Sequence, residues 1–139
     1  MNSAELKKQI NKESSGLILS VGDLVSGELP ILTIDIESLE KLMSILIHDS
    51  RFLIDWIEEL YCHTEDSHVS LSYLVESRQL QCRMIVRGNI PSKSLSQKKV
   101  MSLGHIWPGI LEREKEIEAK QGVQFVGQSE SVSQESRPE

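Results

Sequence analysis

The clearest periodic pattern along the chain is a helical one. Apolar residues recur at the i, i+3, i+4, i+7 spacing of one buried helix face, at Leu39, Leu42, Met43 and Leu46. The pattern predicts a helix over Ile36–Ile47. Asp35 stands just before it and suits the N-cap, because its carboxylate can accept hydrogen bonds from the free N–H groups of the first turn.

Two later stretches alternate apolar and polar residues, which is the pattern of half-buried strands. The apolar positions are Val69, Leu71, Tyr73 and Val75 in the first stretch, and Leu80, Cys82, Met84 and Val86 in the second. They predict an antiparallel hairpin. The alternation places polar residues on the opposite face, namely Ser70, Ser72, Arg83 and Arg87.

Shorter segments complete the predicted elements before the hairpin. The β-branched runs 17–21 and 31–34 predict two strands joined by a loop with Gly and Pro, and the sparse apolar spacing of 3–12 predicts a short surface helix. The segment 52–63 has helical spacing but also an aromatic content that suits a strand. We interpret it as a short helix running into a strand.

The last predicted element is a helix that begins near Pro108 and ends at Gly122, since proline suits a first helical turn and glycine a C-cap. Together the elements predict an α+β fold. It is a two-layer sandwich, in which helices cover one face of a mixed or antiparallel sheet.

The length of the chain, 139 residues, is enough for one domain with a core and too short for two ordinary ones. We assign residues 1–127 to this domain. The remaining stretch, 128–139, has one aliphatic and no aromatic residue, so it cannot bury enough apolar surface to offset its ordering entropy and is predicted to be disordered.

Composition and charge limit the expected cellular location of the protein and the classes of molecule it could bind. No apolar run approaches the ~20 residues of a transmembrane helix, and no hydrophobic core of a signal peptide follows the N-terminus, so we predict a cytoplasmic protein. A net charge of −6 disfavours nucleic acids and anionic membranes, which bind clustered Lys and Arg. Proteins are the expected partners.

The strongest metal candidate is the stretch HTEDSH, in which His63 and His68 flank two carboxylates. Its spacing matches no established ligand signature, and a polar turn between strands is the more frequent structure. Cys62 and Cys82 are too few for a four-cysteine site and are expected to be free thiols. Cys62 and His63 are adjacent, so as strand neighbours they would point to opposite faces and could not act together.

Other chemistry finds less support in the sequence. The glutamates of the final helix are spread around it without apolar neighbours that would raise their pKa values, so we expect a solvated or docking surface. GNIPSKS lacks the Gly-x-x-x-x-Gly-Lys cradle for phosphates. We therefore predict no catalytic residues and no cofactor.

The end of the chain carries a recognisable motif: Ile-Trp-Pro, a charged run, then Gly-x-x-Phe-x-Gly. It resembles the signature of the C-subunit (30 kDa subunit) family of respiratory NADH:quinone oxidoreductase, complex I, which includes small subunits of energy-converting membrane-bound nickel–iron hydrogenases. The matching residues are Ile106, Trp107, Pro108, Gly122, Val123, Phe125 and Gly127. In the same register the family's Glu-Arg-Glu falls on Glu114, Lys115 and Glu116, whereas Glu112, Ala119 and Gln121 replace its Trp, Asp and Phe.

The resemblance implies a cofactor-free scaffold subunit. Its partners would be a large subunit of the nickel–iron hydrogenase or quinone-site type and a small iron–sulfur subunit, and it would reach the inner face of the membrane only through them. The candidate interface or motif residues are Trp107, Pro108, Glu114, Lys115, Glu116, Gly122, Phe125 and Gly127. A stand-alone interaction or regulatory module that diverged from this family is the alternative, and a small metal enzyme using His63 and His68 is a third possibility.

Overall fold

The computed structural model describes residues 8, 18–23, 29–95 and 97–127. Its main sheet has five strands, in the spatial order β1-β2-β5-β4-β3. Their bounds are Ile18–Asp23 (β1), Pro30–Asp35 (β2), Trp56–Thr64 (β3), His68–Ser77 (β4) and Cys82–Pro91 (β5). β2 and β5 run parallel and the other neighbours antiparallel, so the sheet is mixed.

The predicted hairpin is confirmed as β4 and β5. Its register places Val75 opposite Met84 and Tyr73 opposite Val86, and all four side chains are buried. The second strand starts later than its apolar pattern suggested, because Leu80 belongs to the turn between the strands. The alternation predicted from sequence therefore fixes which face of the sheet meets the core.

The predicted helix is confirmed as α1, Leu39–His48, preceded by a 3-10 turn at Ile36–Ser38. The four periodic apolar residues are fully buried in the core between α1 and the sheet. Asp35 does precede the helical turns, but its side chain makes no capping hydrogen bond, so the expected cap is wrong in its chemistry. Packing of the apolar face, at about 1.5 to 3 kcal/mol for each large aliphatic side chain, dominates the stability of α1.

The helix expected within 52–63 is wrong, because this segment turns once and then forms β3. The N–H groups of Phe52 and Leu53 both donate to the carbonyl of Asp49 at 3.0 Å, which forms a tight turn after α1. Phe52 and Ile54 are buried, and the N–H of Ile54 donates to the carbonyl of Leu46 at 2.9 Å. From Trp56 onward the backbone pairs with β4. Long-range pairing has overridden the helical spacing, a competition that a local pattern cannot resolve.

The C-terminal part of the domain contains a second sheet that the sequence did not predict. Two three-residue strands, β6 (Lys99–Met101) and β7 (Gln124–Val126), pair in parallel. Between them lie a 3-10 turn, Pro108–Ile110, and the second helix, α2, Leu111–Gln121. The predicted proline start and glycine end are confirmed, with Gly122 in the left-handed conformation at φ 77°.

The α+β class, with helices packed on a mixed sheet, is thus confirmed. The predicted surface helix at 3–12, apart from Lys8, and the predicted disordered tail at 128–139 lie outside the described residues. The assignment of 1–127 to one domain remains a prediction. Among the described residues, neither helix has the length and apolar content needed to cross a bilayer.

Candidate functional site

β3 is an edge strand, and the segment from Ile106 to Gln121 lies along its outer side. Three hydrogen bonds connect the two segments. The indole N–H of Trp107 donates to the carbonyl of Asp55 at 3.3 Å, and Arg113 Nε donates to the carbonyl of Leu60 at 2.9 Å. The hydroxyl of Thr64 donates to Oε1 of Gln121 at 2.7 Å. The bonds to the carbonyls of Asp55 and Leu60 satisfy backbone acceptors along this edge, which would otherwise be open to pairing with another chain.

Between these hydrogen bonds a groove of about 590 Å³ remains open. Its lining includes residues 55–60, at the start of the edge strand, residues 106–110, Arg78 and Arg113. Trp56 and Ile106 line it and are 45% and 37% exposed. Large apolar side chains this exposed within one concave surface are typical of a site for a protein partner.

Charged residues in and beside the groove form ion pairs. Arg78 pairs with Asp55 at 3.4 Å and stacks over the ring of Trp56 at 5.0 Å from its centre. Glu58, which lines the groove, pairs at 3.3 Å with Arg83, which lies outside its lining. Ion pairs next to exposed apolar side chains are common in protein interfaces.

Glu76 lies next to Glu58, a residue of the groove. A hydrogen bond to Glu58, together with burial and the charge of Glu58, raises the pKa of Glu76 above the ordinary glutamate value. Glu76 therefore holds a proton more readily than an isolated glutamate does.

The inner side of α2 holds a buried carboxylate. Glu114 is fully buried, and its Oε1 accepts a 2.6 Å hydrogen bond from the hydroxyl of Ser102 while its Oε2 accepts one of 3.1 Å from the N–H of Leu103. The hydroxyl of Ser102 in turn accepts from the N–H of Gly104 at 3.0 Å. The carboxylate thereby fixes the loop that carries the Ile-Trp-Pro motif, which lines the groove.

The expectation that the whole charged run is a solvated or docking surface is wrong for Glu114. Glu114 lies three positions before Ile117 and therefore on the same helix face, and Ile117 is also buried. This spacing was the signal in the sequence for the burial of Glu114. A second carboxylate of the helix acts locally as well, because Oε2 of Glu118 accepts from the N–H of Phe125 at 2.9 Å. The run is therefore divided between the fold and the surface.

The structure separates the candidate motif residues into two groups. Trp107, Glu114 and Phe125 are buried, whereas Pro108, Lys115 and Glu116 are exposed. Gly122 and Gly127 have positive φ angles of 77° and 97°, which favour glycine. Of the eight, Trp107 and Pro108 line the groove.

Sequence reasoning missed Trp56 as a groove residue. Its apolar spacing with the residues after it was interpreted as the buried face of a helix, whereas in a strand it is exposed. Ile106 was noted only as the start of the motif. An aromatic residue on an edge strand is a signal that becomes useful only after the strand order is known.

The metal candidates lie near each other without forming a ligand set. His63 Nε2 is 3.2 Å from a carboxylate oxygen of Glu65, and His68 Nδ1 is 3.3 Å from the hydroxyl of Ser67. Within the described part of the chain, no three side chains of the His, Cys, Asp or Glu types are grouped to hold a metal ion. Both cysteines are free thiols, and burial raises their pKa values, which disfavours the reactive thiolate.

Comparison with known proteins gives a likeness of structure. No protein-family model matches the chain, and no curated protein sequence matches it significantly. A chain in the structure of the membrane-bound sulfane sulfur reductase, an archaeal respiratory membrane complex, superposes with a TM-score of 0.72 at 15% identity. The match covers 89% of this chain and 70% of that one. The likeness is one of fold.

Proposed function

We propose that the chain is a non-catalytic, cofactor-free scaffold subunit of a complex-I-like redox complex, and that it docks beside the large catalytic subunit. The observation that carries the proposal is the groove, because the Ile-Trp-Pro motif lines it and it contains both exposed Ile106 and exposed Trp56. The fold likeness to a chain of an archaeal respiratory membrane complex supports the same class of assembly.

The groove suits binding better than catalysis. Of the three carboxylates that line it, those of Asp55 and Glu58 are engaged by Arg78 and Arg83. Its exposed tryptophan and isoleucine can give affinity by desolvation, and such residues commonly dominate the binding energy of protein interfaces.

The proposed partners are a large subunit of the nickel–iron hydrogenase or quinone-site type and a small iron–sulfur subunit. We propose a cytoplasmic location, with contact to the inner face of the membrane only through the assembled complex. Lys115 and Glu116, exposed on the outer face of α2, would lie at the edge of the interface, where charges influence association rate and specificity more than affinity.

An affinity isolation of the tagged chain from its native cells tests the proposal. We expect mass spectrometry to find both partner subunits in fixed proportion with the wild-type chain. The variant Ile106→Asp should reduce their recovery at least about tenfold, because it places a charge in a desolvated contact. A joint reversal, Lys115→Glu with Glu116→Lys, should reduce it less, and Lys41→Glu, exposed on α1 and outside the groove, should leave it unchanged.

A stand-alone interaction or regulatory module is the second candidate. The observation that favours it is at Gln121, where the family motif has phenylalanine: the side chain bonds Thr64 of this same chain, so the position serves the domain itself. Isolation of the folded chain without either redox subunit would favour this module and contradict the scaffold proposal.

A further inference from the structure

A second cavity, of about 250 Å³, lies on the sheet face that alternates away from the core. Four strands contribute to it. Ser70 of β4 stands between His63 of β3 and Asn89 of β5 in one cross-strand row. Residues opposite each other in such rows have Cβ atoms about 4.5 to 5.5 Å apart, so these side chains share one small polar space.

The neighbouring row supplies a positive charge. Arg87 of β5 stands between Ser72 of β4 and Thr33 of β2, and all three line the cavity. Arg87 Nε donates to the hydroxyl of Ser72 at 3.0 Å. No carboxylate of the described residues forms an ion pair with Arg87, so its two terminal nitrogens keep their capacity for an anion.

One buried polar atom of the cavity has unused hydrogen-bonding capacity. The side-chain Oδ1 of Asn89 is buried and has no hydrogen-bond partner among the described residues. Its neighbour Ser70, 5% exposed, lines the same cavity. Buried polar atoms are normally satisfied, so an unsatisfied acceptor beside a half-buried arginine indicates a ligand that both accepts and donates hydrogen bonds.

The cavity also contains a carboxylate, that of Glu65, which is paired with His63 at 3.2 Å. A fully ionised anion such as sulfate would offer it no hydrogen and would be repelled. Inorganic phosphate is different, because near neutral pH it carries both charged oxygens and at least one P–OH group. Its charged oxygens match the planar guanidinium of Arg87, and its hydroxyl matches an acceptor such as Asn89 Oδ1 or Glu65.

We propose that this cavity is a binding site for inorganic phosphate, formed by Arg87 and Ser70 as donors and by Asn89 and Glu65 as acceptors. The site is separate from the groove and does not rest on the proposed scaffold function. Its predicted selectivity follows from the acceptors. Phosphate should bind more tightly than sulfate and more tightly than a fully ionised phosphate monoester, whose second pKa is about 6. The reason is that neither the sulfate ion nor the ionised monoester phosphate group carries a proton to donate.

The test is a titration of the isotope-labelled full chain with sodium phosphate, sodium sulfate and methyl phosphate at pH ~8 and constant ionic strength, followed by NMR. Saturable shifts of the amides of Ser70, Arg87 and Asn89 with phosphate are expected, and weaker ones with the other two anions. Arg87→Gln should weaken phosphate binding about tenfold or more. Arg83→Gln is the matched control, since Arg83 lies on the same face of β5 but outside the cavity, and it should change affinity less than about twofold.

A second variant keeps the test decisive if Arg87→Gln unfolds. Asn89→Leu removes the acceptor together with the amide donors but no charge, so it should weaken phosphate binding more than sulfate binding. Absence of saturable phosphate binding by the wild-type chain would overturn the proposal. Equal affinity for phosphate and sulfate would overturn it too, because a general anion site does not use the acceptors.

Discussion

The inner and outer faces of α2 have the same residue types and opposite environments. Glu114 is fully buried and holds the loop of residues 102–104 through two hydrogen bonds. The side chain of Glu116, half a turn away, is 52% exposed and pairs with Arg113 at 3.0 Å and Lys120 at 3.9 Å. The same charged run thus contains a residue that stabilises the fold, Glu114, and a residue on the solvent-exposed surface, Glu116.

The difference in environment sets the difference in energy. Exposed i,i+3 and i,i+4 pairs contribute about 0.3 to 0.5 kcal/mol and are screened by salt. A buried carboxylate that is removed leaves its donors without partners, which costs about 3 kcal/mol or more. A motif made of charged residues therefore does not indicate by itself whether it serves docking or folding.

The largest expected effect in this comparison is that of Glu114→Ala. We predict a loss of about 3 kcal/mol in the free energy of unfolding, because the hydroxyl of Ser102 and the N–H of Leu103 lose their acceptor in a buried site. Urea unfolding followed by circular dichroism measures it. Glu116→Ala is the matched control and should cost less than about 0.5 kcal/mol; equal losses for the two variants would show that the two faces do not differ.

Gly104, within the loop that Glu114 holds, comes next. A Cβ added there would collide with the side chain of Leu111, so Gly104→Ala should cost about 2 kcal/mol through overpacking. Adding Leu111→Ala should recover part of that loss if the collision is the cause. Additive losses in this double-mutant cycle would refute the steric explanation.

Gly122 should show a smaller effect. Its φ of 77° disfavours a side chain, although a Cβ there would meet only Leu95 at 3.7 Å, so Gly122→Ala should cost about 1 kcal/mol from backbone strain. Gly109→Ala is its control, because Gly109 has no neighbouring atom within 4 Å of the added Cβ. A thermal melt in which both variants match the wild type would contradict the argument.

The smallest expected effect concerns the carboxyl pair beside the groove. The pKa of Glu76 is raised in the folded protein, so this group favours folding in acid and loses that contribution as the pH rises through its folded pKa. Glu76→Gln should therefore stabilise the protein by a few tenths of a kcal/mol near pH 7, since solvent screens the repulsion. The gain should vanish at acid pH, and a gain that does not change with pH would exclude charge repulsion as its source.

The periodic elements could be predicted from the sequence because their signals are local. Alternation of apolar and polar residues predicted β4 and β5. Helical spacing of apolar residues predicted α1, and a proline start with a glycine end predicted α2. The elements that were missed depend on distant partners. β3 was assigned partly to a helix, and β6 and β7 are three residues each, too short to carry a pattern of their own.

The candidate site was less predictable than the fold. The motif residues Trp107 and Pro108 could be identified, but the groove needs Trp56, which lies 51 positions before Trp107, and only the strand order brings the two segments together. The burial of Glu114 was not predicted, because the groups that donate hydrogen bonds to it, the hydroxyl of Ser102 and the N–H of Leu103, lie in a loop whose path the sequence does not specify.

The affinity of the purified chain for its purified large and iron–sulfur subunits shows whether the groove is a docking site. We predict that Trp56→Ala weakens this binding about tenfold or more while the unfolding midpoint stays close to that of the wild type, and that Lys41→Ala changes neither. Wild-type affinity in the Trp56→Ala chain, or no binding by the wild-type chain itself, would contradict a docking role for the groove.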